Sequence, residues 1–90
     1  MSLPYVGFPP DFGKVVTMRQ ARLALLQAGM LNSVNAAIAA IPGPAGDAAR
    51  IEWDYSNEVQ RTQPLVAQLG AVLGMDDAAL DALFLVAAAL

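Results

Sequence analysis

Glycine and proline punctuate this chain so regularly that little besides short helices fits between the stops. Gly29, the Pro42-Gly43-Pro44 run, Pro64 and Gly74 divide residues 17–90 into five segments. Proline removes a backbone donor and clashes with the preceding helical turn, and glycine readily takes the left-handed conformation that closes a helix. Each segment carries apolar residues three and four apart, the spacing of one helix face. The reading is all-α: a compact bundle of about five short helices. Nowhere does apolar/polar alternation persist long enough to predict a strand, and no internal repeat stands out.

The caps refine this outline. Thr17-Met18-Arg19-Gln20 has the form of a capping box, in which the Thr17 hydroxyl accepts from the Gln20 amide and the Gln20 side chain reaches back. The first helix then runs to about Ala28 with Met18, Ala21, Leu25 and Ala28 inward, widened by Leu26. Arg19, Arg22 and Gln27 face water. The second carries Leu31, Val34, Ile38 and Ile41. Asp47 is the expected N-cap of the third, which extends to about Arg61 and lines its core side with Ala48, Ile51, Tyr55 and Val59. Arg50 with Asp54, and Glu58 with Arg61, are spaced to pair on its exposed side. Thr62 or Gln63 caps the fourth, whose stripe is Leu65, Leu69, Val72 and Leu73. Asp76 caps the fifth, Met75 can staple onto Leu80, and Leu80, Leu83, Phe84 and Ala87 continue the core face.

Residues 1–16 form an extended N-terminal arm rich in proline and aromatics, set apart from the helical domain of residues 17–90. Pro4, Pro9 and Pro10 bar a helix, while Leu3, Tyr5, Val6, Phe8 and Phe12 supply more large apolar groups than a solvated tail needs. The arm either folds back over its own helices or docks on another subunit. Tyr5, Phe8 and Phe12 are therefore candidate partner-binding residues. Trp53, the single tryptophan, is a fourth. It lies about 160° around the helix from Tyr55, so only one of the two faces the core. The sequence reading puts Tyr55 inward and offers Trp53 to a partner or the arm, with packing between the first and third helices as its alternative.

The residue inventory removes most chemistry. There is no histidine and no cysteine, so Ser33 and Ser56 lack an activating base and no thiolate site exists. Lys14, the only lysine, sits in the arm. Glu52, Asp54 and Glu58 lack the glycine-bearing loop of oxygen ligands that a hard cation requires. No enzyme activity, cofactor or metal is expected. Gln68 to Phe84 has the outline of a helix-turn-helix, but its second helix carries Asp76, Asp77 and Asp81, and no Lys or Arg follows Arg61. With a net charge of −3, phosphate would be repelled, which argues against nucleic-acid and anionic-membrane partners. The Pro-rich start does not read as a signal peptide, and Ala82 to Leu90 is too short to span a bilayer. The expectation is a soluble chain. Because 57% of its residues are hydrophobic and only 14% charged, its surface is expected to be covered by a partner or by copies of itself.

Several segments carry a family resemblance. They are Met18-Arg19-Gln20-Ala21-Arg22-Leu23-Ala24-Leu25-Leu26 with Ala28-Gly29-Met30-Leu31, Ile38-Ala39-Ala40-Ile41-Pro42-Gly43, Ile51-Glu52-Trp53-Asp54, Pro64-Leu65-Val66, Leu73-Gly74-Met75 and Leu80-Asp81-Ala82-Leu83-Phe84. Through them residues 17–90 resemble small all-helical proteins encoded near the tail and tail-fibre genes of tailed bacteriophages. The resemblance implies a structural or adaptor component of a phage tail, at the baseplate or fibre attachment point, present in several copies. Its partners would be other tail, baseplate or fibre subunits, in the virion and in the host cytoplasm during assembly. The alternatives are a fibre-assembly chaperone that leaves the particle and a regulator that binds a host protein. The resemblance carries over no catalytic residue.

Overall fold

The computed structural model describes residues 13–90. Its elements follow in the order β1 (Val15–Thr17), α1 (Met18–Gln27), α2 (Leu31–Ala40), α3 (Gly43–Tyr55), β2 (Glu58–Gln60), α4 (Pro64–Leu73) and α5 (Asp77–Ala88). The expected all-α bundle of five helices is present. A small antiparallel ribbon accompanies it, pairing Val15 with Gln60, Val16 with Val59 and Thr17 with Glu58. This corrects the expectation of no strand. Strands of three residues are too short to display an alternating pattern, and only their pairing makes them visible.

The ribbon brings residues Gly13 to Val16 into the helical domain, although the sequence places them in the arm. Val16 is 2% exposed and belongs to a core cluster with Ala24, Val66, Leu80, Phe84 and Ala87. The second cluster is Leu25, Val34, Ile38, Ala49 and Trp53, with Leu65, Leu69 and Leu83 packed against it. α1 contributes to both clusters. α5 packs chiefly against α1 and β1, whereas α2 packs against α3 and α4.

The capping signals translate directly into geometry. The Thr17 Oγ1 accepts from the Gln20 amide at 3.0 Å, and Gln20 Oε1 accepts from the Thr17 amide at 2.9 Å. Asp76 Oδ1 accepts from the Ala79 amide at 2.9 Å and so satisfies one of the orphan donors of α5. Gly29 and Gly74 both take positive φ after their helices. Met75 packs into the cluster that holds Leu80, as the staple requires.

The helical faces depart from expectation at three places. On α1, Leu25 is buried but Leu26 points to solvent, and Arg22 is half-buried. On α4, Val66 and Gly70 occupy the core while Val72 is exposed, because the face is rotated toward the α4–α5 turn. A Cβ on Gly70 would lie 2.8 Å from Leu80 Cδ1, so this close approach exists only because residue 70 has no side chain.

The largest departures are on α3. It starts at Gly43, not after Asp47: Pro42 ends α2, and Pro44 sits in the first turn of α3, where a missing N–H costs no helical bond. It also stops at Tyr55, short of the expected Arg61. The backbone turns extended at Ser56, and Asn57 O accepts from the Met18 amide at 2.8 Å, leading into β2. The ion pairs rearrange accordingly. Arg50 bonds Asp47, Asp54 faces Arg22 at 3.9 Å, and Arg61 reaches Asp81 at 2.8 Å and Asp77 at 3.2 Å.

Candidate interaction surface

Two stripes compete for the core along α3. One is Ala48, Ile51 and Tyr55; the other is Gly46, Ala49 and Trp53. Both have helical spacing, and by side-chain hydrophobicity alone the first has the stronger claim. The structure buries the second. Gly46 and Ala49 are buried and Trp53 is 8% exposed, whereas Ile51 is 59% and Tyr55 79% exposed. The expected placement of Tyr55 inward and Trp53 outward is therefore reversed.

Packing geometry accounts for the reversal. Gly46 meets the end of α2 so closely that a Cβ there would lie 1.9 Å from the Ile41 carbonyl oxygen. That contact draws α2 and α3 together and presents Ala49 and then Trp53 to Val34 and Ile38. The indole is also well served once inside. Its Nε1–H donates to Asn35 Oδ1 at 2.8 Å, so burial leaves no donor unpaired. The Arg22 guanidinium lies 4.2 Å over the ring centroid and donates to the Trp53 carbonyl oxygen, one of the free acceptors at the end of α3. Arg22, expected to face water, is thus the brace between α1 and α3.

The stripe left outside is the site of interest. Ala48, Ile51 and Tyr55 form an apolar ridge on α3 opposite the core, flanked by Glu52 and Asp54. Tyr55 also borders a shallow polar depression formed with Ser56, Asn57, Glu58, Gln60 and Gln63. An apolar centre beside a polar rim is the anatomy of a protein-binding patch, and tyrosine suits such a position because it offers a large apolar face and a hydroxyl.

The acidic residues of the helix-turn-helix outline all have structural partners. Asp76 caps α5, and Asp77 and Asp81 both pair with Arg61. Burial acts to lower the Arg61 pKa, but hydrogen bonds and Coulomb attraction from these carboxylates outweigh it and raise the value above its ordinary range. Between the two core clusters lies a cavity of about 90 Å³ lined by Met18, Leu25, Trp53, Leu65, Leu69 and Leu83 among others. Its walls are almost wholly apolar, with Glu52, Ser56 and Glu58 among the few polar residues that border it. Among the described residues no three metal-ligating side chains gather, and no single helix is long and apolar enough to cross a membrane.

Of the four residues singled out from sequence, Tyr5, Phe8 and Phe12 lie outside the described residues. Trp53 is in the domain's own packing, so a partner approaching α3 meets Ile51 and Tyr55. Sequence reasoning had selected these two for their spacing and assigned them to the wrong side. The one signal for the other side was Gly46, which is out of place in a helix unless something approaches its backbone. Set against family models, curated proteins and solved structures, the chain finds no match.

Proposed function

We propose that this chain is a structural or adaptor component of a bacteriophage tail, acting through protein–protein contacts at the baseplate or fibre attachment point. The observation that carries the interaction reading is the outward apolar ridge Ala48-Ile51-Tyr55 on a charge-poor domain. The phage context rests on the resemblance of the quoted segments, among them Arg19-Gln20-Ala21-Arg22 and Ile51-Glu52-Trp53-Asp54. In this reading the partners are other tail, baseplate or fibre subunits, arranged with several copies of the chain. The work is binding, with no catalysis, cofactor, nucleic acid or membrane involved. The chain resides in the virion tail and passes through the host cytoplasm during assembly.

Quantifying the chain in purified particles tests the proposal. A structural component is present at fixed stoichiometry, and a doubly substituted Ile51→Asp, Tyr55→Asp chain stays folded but is lost from particles. Normal incorporation of that variant overturns the assignment of the α3 ridge. Absence of the unmodified chain from particles, together with binding to fibre subunits during assembly, indicates the chaperone instead.

A further inference from the structure

The apolar cavity between the core clusters and the polar depression beside Tyr55 are neighbours. Ser56, Glu58 and Gln63 border both, so the two form one amphipathic site with an apolar interior and a hydrogen-bonding mouth. The fold explains the join. α3 stops at Tyr55, the chain runs extended through Ser56 into β2, and α4 starts after Gln63. That connection supplies the polar border, while Trp53, Leu65, Val66 and Leu69 line the interior. α4 covers the cavity loosely: Leu65, Leu69 and Leu73 are each only half-buried.

We propose that this site binds a short unbranched alkyl chain bearing an uncharged hydrogen-bonding head group, with the chain in the cavity and the head in the depression. The interior selects hydrocarbon, because among the described residues every buried side-chain polar atom already has a partner and the walls offer too few others to hold water. Size selects a slender group. The cavity is about 90 Å³, against the roughly 150 Å³ of an apolar cavity that takes up benzene. The mouth selects the head. Thr17, Tyr55, Asn57 and Gln60 present hydroxyls and amides, and among the described residues no lysine or arginine lines either part of the site. The carboxylates of Glu52 and Glu58 stand at the border and repel an anionic head. The inference is independent of the adaptor reading, since a small molecule held here requires no other subunit.

The test uses the full chain with 1-butanol, 1-pentanol, 1-hexanol and hexanoate as probes. The only tryptophan lines the cavity, so Trp53 fluorescence reports its occupation. Hexanol should change the emission saturably, and each added methylene from butanol to hexanol should tighten binding about fourfold. Hexanoate should bind at least tenfold more weakly. Saturating hexanol should also raise the Tm, because a ligand of the native state stabilises it by mass action. Leu69→Phe places bulk in the cavity and should weaken hexanol binding at least fivefold. A linear, non-saturating response accompanied by a fall in Tm overturns the proposal, and that result is read on the unmodified chain whether or not the variant folds. Unchanged hexanol binding by a folded Leu69→Phe chain overturns it as well, and hexanoate binding as tightly as hexanol overturns the assignment of the head group.

Discussion

α3 and α5 pose the same problem and resolve it differently. Each is a helix with two apolar faces, only one of which can enter the core. On α5 the inner face holds Leu80, Leu83, Phe84 and Ala87 and the outer face mainly alanine, so size and hydrophobicity agree and the reading from sequence holds. On α3 they disagree. The face that packs is Gly46, Ala49 and Trp53, and the face left out is Ala48, Ile51 and Tyr55. Two small residues let the backbones approach, and one large residue then fills the space beyond them. The comparison teaches that a helix face is chosen by fit to its neighbours, and summed hydrophobicity is a proxy that fails when the fit depends on glycine.

The largest effects should come from the aromatic at the centre of each inner face. Trp53→Ala and Phe84→Ala should each cost about 3–5 kcal/mol in denaturant unfolding, close to the whole stability of so small a domain. Near-equal losses would confirm that α3 is anchored as α5 is. A loss below about 1 kcal/mol for Trp53→Ala would remove the indole from the core.

Gly46→Ala comes next and sharpens the contrast, because alanine ordinarily favours helices. Here the new Cβ collides with the Ile41 carbonyl, so a loss of about 1–3 kcal/mol is expected where an open helical site would gain about 1 kcal/mol. A gain in thermal stability would mean that α2 and α3 are not in this contact.

How much of this was legible beforehand depended on the kind of signal. Caps and stops were readable because they are local: Thr17 with Gln20, Asp76 and Gly74 act within one turn of their own position. The β1–β2 ribbon was not, since its partners are far apart in sequence and each strand is three residues long. The end of α3 was hidden for the same reason, because Glu58–Gln60 leaves the helix to pair with Val15–Thr17. The partners of Arg61 were also non-local, with Asp77 and Asp81 brought up by the fold in place of the helical neighbour Glu58. For the candidate site, the sequence reading offers Trp53 to a partner and puts Ile51 and Tyr55 in the core. The structure buries Trp53 and exposes the other two, because the choice of face depends on the non-local contact at Gly46.

Arg22→Ala probes the brace between α1 and the end of α3. It removes the cation over the Trp53 ring and a donor to the Trp53 carbonyl, and should cost about 1–2 kcal/mol. Arg22→Lys should recover only part, because an ammonium lacks the planar fork that stacks and donates together. Full recovery would reduce the contact to simple charge.

Smallest of all should be the outer stripes. Tyr55→Ala and Val86→Ala should each change stability by no more than about 0.5 kcal/mol, since both side chains face outward. A larger loss at either position would mean that its side chain packs within the domain.

The exchange of Trp53 for Tyr55 is the account's central claim, and tryptophan fluorescence reads it directly because the chain has one indole. Collisional quenching by iodide, measured on the native and the urea-unfolded chain, compares the accessibility of that ring. The account predicts that the native indole is shielded, with quenching at least several-fold weaker than in the unfolded chain. Equal quenching in the two states would place Trp53 on the surface, return Ile51 and Tyr55 to the core, and contradict both the packing of α3 and the ridge proposed to meet a partner.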